Sequence, residues 1–355
     1  MDLKPFLHAR LHALHKDLRS KRIDCYLVTK PAHIQYLLGL DSVSHFHREI
    51  FVLLRHSKTF VLHSALMALP DHVANIAGCL SLSSAAPLTA TLKTIAGGNT
   101  LHTDLDNLTV TEYQQLASKL GTSIKEAPPI IDDSRQSKDR LEIHYLRQSS
   151  RITGQVMAKA LKNLKIGSTE LEIKNHIISL CRERGADITP EFEPIVAIGS
   201  HSAIPHHQAG SRKVSRQSVV LIDFGCQVHG YWADMTRTIK LGRPDRLFIK
   251  VENAVKLSYQ AALRSILEVR NPALADQAAT DSLVDSGFTA MPHTTGHGIG
   301  LQVHEPPSLN RLGAVPLTNS AVFTIEPGIY LPGKFGIRLE NTLSLINGKL
   351  STLTV

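Results

Sequence analysis

The chain has 355 residues, enough for two domains, and with 43% hydrophobic and 20% charged residues its composition is that of a globular protein rather than a disordered one. The formal net charge of +8 comes from dispersed basic residues, and only 5% of residues are aromatic, which argues against nucleic-acid binding. No apolar run approaches the ~18–20 residues of a membrane span, so we expect no membrane partner.

Two features indicate the compartment. Polar and basic residues interrupt the N-terminal stretch MDLKPFLHARLHALHKDL, which therefore lacks the apolar core of a signal peptide. The cysteines are scattered and form no CxxC pair: Cys25, Cys79, Cys181 and Cys226. This usage is typical of buried thiols in a reducing environment, and we expect a cytoplasmic protein.

Residues 1–133 predict a smaller α/β domain. A helix near Phe6 to Arg22 precedes the strand sequence CYLVT, a short helix around Ile34 to Leu38, and the strand sequences IFVLL and TFVLHS, which are close enough for a hairpin. TLHTD predicts a further strand and VTEYQQLASKL a helix. Because catalytic residue types do not cluster here, we expect a role in oligomerisation or substrate access.

A domain boundary is predicted in EAPPIIDDSRQSKDR, where two prolines stop regular structure and a polar stretch follows. The second domain, 138–355, opens with a helix over about Lys138 to Lys165. Ser168 or Thr169 then caps another helix, with Glu172 as the partner in a capping box. Beyond this point the sequence is rich in predicted strands, interrupted by helices over about 244–269 and 273–285.

Two predicted hairpins in this domain carry carboxylates near their strand ends. In LIDFGCQVHGYWADMTRT, Asp223 ends an apolar strand, and Asp234 lies on the returning strand if the central HG is the turn. Neighbours on one face of a ribbon are ~5 Å apart, or ~7–8 Å on the diagonal, so both carboxylates can reach one point. TIEPGIYLPGKFGIRLEN places Glu326 and Glu340 on either side of a turn in the same way.

Between the two hairpins lies MPHTTGHGIGLQVHE, which contributes His293, His297 and His304. Taken singly, these residues have plainer interpretations: an Asp at a strand end is usually a turn residue or a cap, and an isolated His belongs to the core or the surface. The glycines do not match a phosphate-binding GxGxxG pattern. Four carboxylates and one imidazole converging are instead a ligand set for two divalent cations that share bridging oxygens.

The segments LIDFG…GYWADMTRT, TGHGIGLQVHEPP, FTIEPGIY and GIRLEN resemble, in this order, the signature segments of the pita-bread metallopeptidases. That family includes Xaa-Pro aminopeptidase (aminopeptidase P), Xaa-Pro dipeptidase (prolidase), methionine aminopeptidase and the metal-free creatinases. The phrase AHIQYLLGL extends the resemblance to the N-terminal domain of the proline-specific members. The resemblance implies an α+β fold, with a pita-bread (creatinase/aminopeptidase-like) catalytic domain preceded by a smaller α/β creatinase-type domain.

The resemblance also implies a metal centre. Asp223 would chelate the first metal, Asp234 and Glu340 would bridge both, and His297 and Glu326 would complete the second. An oxygen-rich site with a single imidazole favours Mn²⁺, with Co²⁺, Zn²⁺ or Fe²⁺ as alternatives.

Further roles follow from the same resemblance. In AIPHHQAG, His206 matches the histidine after proline that stabilises the reaction, and we expect its neighbour His207 to be dispensable. His304 and His293 match histidines that orient substrate and stabilise the tetrahedral intermediate. Two other residues match positions that hold carboxylate ligands or substrate: Arg338 and Tyr330. Glu326 would also take the proton of the hydroxide that bridges the metals and pass it to the leaving amine.

The resemblance, with this ligand set complete, implies a metallo-exopeptidase, a hydrolase specific for small peptides with proline in second position. The preferred interpretation is a dinuclear, manganese-dependent Xaa-Pro aminopeptidase that uses a metal-bridging hydroxide. The resemblance of the leading domain also implies a homodimer. The alternative is an Xaa-Pro dipeptidase. Methionine aminopeptidase is disfavoured by the long leading domain, creatinase by the complete carboxylate set, and a non-catalytic binding protein of the same fold by the absence of any lost ligand.

Overall fold

A computed structural model of the chain describes residues 2–44, 48–188, 192–313 and 315–355. It divides the chain into two units, Met1–Arg135 and Gln136–Val355. Within the described ranges, no helix is both long enough and apolar enough to cross a membrane.

Strands β1 to β6, as far as the first unit is described, form one mixed sheet in the order β4-β3-β2-β1-β5-β6. β1, β2 and β3 pair antiparallel, and the predicted hairpin is the β2–β3 pair; the other pairs are parallel. The elements are α1 (Lys4–Ser20), β1 (Cys25–Val28), α2 (Pro31–Leu38), β2 (Ile50–Arg55), β3 (Lys58–Ser64), α3 (Asp71–Ala74), β4 (Gly78–Leu82), α4 (Leu88–Ala96), β5 (Leu101–Thr103), α5 (Val110–Leu120), β6 (Ile124–Glu126) and α6 (Ile130–Arg135).

The segment expected to be irregular after its two prolines contains helix α6, so that expectation is wrong in part. The prolines precede the helix, where a missing N–H costs nothing because the first helical N–H groups have no partner within the helix.

A buried carboxylate links several elements of the first unit. Asp104, which follows β5, accepts hydrogen bonds from the Tyr26 hydroxyl at 2.7 Å and from the Thr29 N–H at 2.9 Å. His33 on α2 lies between this carboxylate and that of Asp132 on α6, with its Nε2 2.9 Å from the Asp132 oxygen. Burial would lower the pKa of His33, but the two carboxylates raise it. These contacts therefore join β1, α2, β5 and α6.

The second unit begins with two capped helices. α7 starts after Asp139 and α8 after Thr169, and each cap forms a capping box with the Glu three residues later. The elements are α7 (Arg140–Lys162), α8 (Glu170–Glu183), β7 (Ile195–Ile198), β8 (Val219–Phe224), β9 (Gln227–Val228), β10 (Tyr231–Trp232), β11 (Met235–Lys240), α9 (Arg246–Val269), α10 (Pro272–Asp285), β12 (Gly296–Gly298), β13 (Glu305–Leu309), β14 (Ser320–Ile325), β15 (Gly328–Leu331), β16 (Phe335–Arg338), β17 (Asn341–Ile346) and β18 (Lys349–Thr352).

Two antiparallel sheets of this unit each pack one face against a pair of helices. Ile222 of the β11-β8-β7 sheet lies in a core with residues of α7 and α8, and Phe323 and Leu343 of the β13-β12-β14-β17-β18 sheet lie in a core with residues of α9 and α10. Since successive side chains of a strand point to opposite faces, Asp223 lies on the face of β8 away from α7 and α8. Its carboxylate is thereby directed away from the core that Ile222 shares with these two helices.

The first carboxylate hairpin folds around the predicted turn. His229 and Gly230 have φ values of +50° and +80°, as a tight hairpin turn requires, and they join β9 to β10. In the β8–β11 ladder Asp223 pairs with Thr236. Asp234, two residues before Thr236, is therefore the diagonal neighbour of Asp223.

The second hairpin keeps one register throughout. Ile325 pairs with Asn341 in the β14–β17 ladder, and Gly328 pairs with Arg338 in the β15–β16 ladder. Continuing either ladder by counting sets Glu326 opposite Glu340. The register, rather than a special loop, brings these two carboxylates together.

Gly225 lies in close contact with the opposite strand of the first hairpin, and we expect Gly225→Ala to disrupt the pairing of the two strands. An added Cβ would lie 1.7 Å from the carbonyl oxygen of Ala233, next to Asp234. We expect a loss of roughly 3 kcal/mol in the free energy of unfolding, typical of a steric clash that a core cannot absorb. Denaturant unfolding followed by the fluorescence of Trp232, the single tryptophan, measures it.

Gly78→Ala is the matched control, because its added Cβ would make only ordinary contacts with Phe60, at 3.5 Å. Unchanged stability of the Gly225 variant would contradict the close approach of the two strands.

Candidate metal centre

A cavity of about 760 Å³ opens in the second unit, and the sequence-predicted ligands line it. These are Asp223, Asp234, His297, Glu326 and Glu340. Four further predicted site residues lie in the same lining: His206, His293, His304 and Arg338. The remaining predicted residue, Tyr330, is not in the lining, but its hydroxyl forms hydrogen bonds with His293 and Arg338.

Three of these residues form a tight group. One ligand atom from each of Asp234, His297 and Glu340 lies within 4.8 Å of the other two, and all three side chains are buried. Glu326 is near this group, with its Oε1 3.5 Å from His297 Nε2. Asp223 is not part of this group, and one of its oxygens accepts a hydrogen bond from Arg338 Nη2.

The tautomer of His297 leaves its Nε2 able to bind a cation. Its Nδ1 lies 3.1 Å from the carbonyl oxygen of Gly298 and must donate there, which leaves Nε2 with a lone pair. That lone pair points toward the carboxylates of Glu326 and Asp234, at 3.5 and 3.9 Å. Burial, with a smaller contribution from His304, lowers the pKa of His297 to about 3, so the ring is neutral. A lone pair facing carboxylates is unfavourable unless a cation lies between them.

The carboxylates also carry more negative charge than a buried site tolerates. Burial, followed by repulsion between neighbouring carboxylates, raises the pKa of Asp234 and of Glu340 well above their usual values. Burial raises the pKa of Glu326 to about 8, against the opposing charge of Arg338 and with the added repulsion of Asp223. One arginine does not neutralise this cluster, whereas divalent cations would.

Two carboxylate oxygens have no hydrogen-bond partner among the described residues: Asp223 Oδ1 and Glu340 Oε1. The other oxygen of each carboxylate accepts a hydrogen bond. Glu340 Oε2 accepts from the Thr236 hydroxyl at 2.6 Å, and Asp223 Oδ2 accepts from Arg338 Nη2. A buried acceptor without a partner is costly. The two free oxygens are the atoms that metal ligation would use, and the residues therefore fit the predicted group.

Arg338, Tyr330 and His293 form a chain of hydrogen bonds beside Asp223. Arg338 Nη1 donates to the Tyr330 hydroxyl at 2.9 Å, and that hydroxyl lies 2.8 Å from His293 Nε2. His293 Nδ1 faces the Thr294 carbonyl at 2.8 Å, so the Tyr330 hydroxyl donates to Nε2. Burial lowers the pKa of His293 to about 4, so this imidazole is neutral. The chain of bonds fixes the guanidinium that holds Asp223.

Thr236 is a site residue that the sequence analysis missed. Its hydroxyl accepts from Arg338 Nε at 3.1 Å and donates to Glu340. It thereby connects the two hairpins. Its spacing of two residues from Asp234, on the same face of the ribbon, is the signal that could have identified it.

The imidazoles of His206, His293 and His304 line the cavity near the carboxylates. The ring centroids of His304 and His297 are 4.3 Å apart, edge to face. His206 is close enough to contribute, after burial, to lowering the pKa of both His293 and His304. His207 is not in the cavity; its Nε2 lies 2.9 Å from a carboxylate oxygen of Glu170.

Comparisons with known proteins show the family of the chain. Residues 144–346 match the model of metallopeptidase family M24, and residues 10–137 match the creatinase/prolidase N-terminal domain. An uncharacterized peptidase of Staphylococcus aureus (strain USA300) is 30% identical over 345 residues, covering 95% of this chain and 96% of the relative.

Two solved structures are also similar. The X-Pro aminopeptidase from Thermotoga maritima MSB8 is 26% identical with a TM-score of 0.83, covering 95% of this chain and 97% of that one. The recombinant prolidase from Thermococcus sibiricus is 28% identical with a TM-score of 0.87, covering 100% and 97%. The predicted resemblance and fold class are confirmed. The chain belongs to metallopeptidase family M24, with a creatinase/prolidase-type N-terminal domain before the catalytic one.

Proposed function

We propose that the protein is a dinuclear metal-dependent Xaa-Pro aminopeptidase, which removes an N-terminal residue that precedes proline. The observation that carries the proposal is one cavity that gathers four carboxylates and a neutral imidazole, with two carboxylate oxygens lacking partners among the described residues. The similarity to the Thermotoga X-Pro aminopeptidase supports the substrate class. The similarity to the Thermococcus prolidase supports a second candidate, an Xaa-Pro dipeptidase.

The cations would be held by Asp223, Asp234, His297, Glu326 and Glu340, with Mn²⁺ favoured by the oxygen-rich donor set. When bound, two divalent cations supply Lewis acidity and lower the pKa of a water molecule, so that a nucleophile exists near neutral pH. Arg338 and Thr236 keep two of the carboxylates in orientation through their hydrogen bonds.

The remaining steps belong to the protein's own side chains. Glu326, whose Oε1 lies 3.5 Å from His297 Nε2, takes a proton from the attacking water and delivers it to the leaving nitrogen. His206 and His304 face the cavity and donate to the oxyanion that develops on the scissile carbonyl. A bond to proline has no N–H, so a site that polarises the carbonyl suits it better than one that requires that donor.

Metal binding is testable without substrate. We expect Mn²⁺ to raise the melting temperature of chelator-treated protein, since binding at 100 times the Kd stabilises by about 2.7 kcal/mol. Asp234→Asn should lose most of this gain and all turnover, yet be at least as stable as metal-free wild type, because it removes a buried repelling charge. Thermal unfolding with and without metal measures it.

Asp281→Asn, an exposed carboxylate on α10, is the control and should respond to Mn²⁺ as wild type does. Full activity or a full metal response in the Asp234 variant would argue against the two-metal assignment.

The substrate is tested with manganese-loaded protein on an Xaa-Pro dipeptide and an Xaa-Pro-Yaa tripeptide, with a chelator control. We expect release of the N-terminal residue from the tripeptide, because an aminopeptidase pocket accepts chain beyond proline. Turnover of the dipeptide alone would instead make the protein a dipeptidase. If metal binds and neither peptide is cut, the peptidase proposal fails.

His206→Ala should lower kcat roughly 100-fold with little change in KM, the usual cost of removing one donor to a developing oxyanion. Steady-state kinetics on the cleaved peptide measure it. His144→Ala, an exposed histidine on α7, is the control. A KM effect alone would mean that His206 only binds substrate.

A further inference from the structure

A second cluster of ionisable side chains lies outside the metal centre, around Glu170 at the start of α8. This carboxylate is fully buried, and two histidines contact it. His201 Nδ1 lies 2.8 Å from its Oε1, and His207 Nε2 lies 2.9 Å from its Oε2. The two imidazole rings have centroids 4.3 Å apart. No sequence pattern singled out Glu170.

The Glu170 carboxylate is saturated with donors. Besides the histidines, Oε1 accepts from the N–H of Ile198 at 2.8 Å and Oε2 from the N–H of Gly210 at 3.0 Å. An ionised carboxylate has about four lone-pair sites, and four donors occupy them. Although burial opposes ionisation, the hydrogen bonds, that of His207 first, hold the pKa of Glu170 below its usual value. The cluster is thus an anion enclosed by N–H donors rather than a set of ligands for a cation.

These bonds close one loop, residues 198–212, around the carboxylate. The N–H groups of Glu170 and Leu171, at the N-terminus of α8, donate to the carbonyls of Arg212 and Gly210, both at 3.0 Å. Arg212 Nη1 in turn donates to the Ile198 carbonyl at 3.0 Å. Glu170 therefore bonds both ends of the 198–212 loop, and the helix N-terminus favours its negative charge.

The 198–212 loop carries His206. Pro205 and His206 line the metal-centre cavity, whereas the next residue, His207, points to Glu170. The side chain of His206 is exposed, so the backbone of the loop rather than packing sets its place. At the middle of the loop, the Ser202 hydroxyl accepts the N–H of Gly336 at 2.9 Å, two residues before Arg338.

We propose that Glu170 is a positioning residue for the peptidase site: with His207 it fixes the 198–212 loop so that His206 faces the substrate carbonyl. The inference rests on the proposed function, since it assigns Glu170 a task in that reaction. It also gives His207, expected from the sequence to be dispensable, a specific role as a donor to Glu170.

The first test is a double-mutant cycle between Glu170→Gln and His206→Ala. An amide offers one acceptor oxygen and sets an NH₂ group against donors, so Glu170→Gln should lower kcat roughly 10- to 100-fold with KM within about twofold. In the His206→Ala background the same change should have no further effect on kcat, because the group it positions is gone. If the double variant instead loses kcat by the product of the two single-variant factors, the inference is overturned.

His207 gives a matched pair of variants that keeps the test valid if Glu170→Gln folds poorly. His207→Gln retains a hydrogen-bond donor near the place of the imidazole Nε2, whereas His207→Leu removes the donor. We expect the Gln variant to keep most of the wild-type kcat and the Leu variant to have a much lower kcat. In the His206→Ala background we expect the two variants to have the same kcat. Equal rates for the two variants would contradict the role of this hydrogen bond.

Amide hydrogen exchange supplies a readout independent of turnover. In Glu170→Gln the amides of Ile198 and Gly210 should exchange at least about 10-fold faster, with Mn²⁺ binding unchanged. Glu183→Gln, at an exposed position at the C-terminal end of α8, is the control. If the wild type cuts neither peptide, the proposed function fails, and the exchange rates alone test whether Glu170 holds the 198–212 loop. Unchanged exchange rates in Glu170→Gln would overturn the role of Glu170 in holding this loop.

Discussion

Negative charge buried in one place is the constraint on which the second unit depends. Asp223, Asp234, Glu326 and Glu340 line one cavity, and burial, followed by repulsion from neighbouring carboxylates, raises the pKa of the last three. Arg338 compensates part of this charge through Asp223. The rest of the unit supplies the rigidity that holds such an unfavourable arrangement, through two sheets whose other faces are packed against helices.

The two hairpins solve the same geometrical problem in different ways. The first sets its aspartates on a diagonal, with a glycine where the strands come closest. The second sets its glutamates opposite one another by continuing a single register across two ladders. Thr236 then joins the hairpins by side-chain hydrogen bonds to Arg338 and Glu340. Precision at the centre thus comes from backbone pairing, which is harder to distort than a set of loops.

Sequence patterns were sufficient where the signal is local. The apolar run that ends at Asp223 and the His229–Gly230 turn predicted the first ribbon, and the capping box at Thr169 and Glu172 predicted the start of α8. Contacts between residues far apart in sequence were not predictable in this way. Thr236 meets Glu340 across 104 positions, and Glu170 meets His207 across 37, with no periodicity to link them. The helix α6 was missed because prolines were taken as the end of regular structure rather than as a start.

Trp232 lies two residues before Asp234, in the strand that forms the buried wall of the first ribbon, and it is the single tryptophan of the chain. Its indole packs edge to face with Phe192, which lines the cavity. The protein therefore carries its one indole fluorophore beside the predicted ligands. A paramagnetic ion such as Mn²⁺ quenches a nearby indole, whereas Zn²⁺ does not, so the light emitted by this residue can report which ion is present while no peptide is being cut.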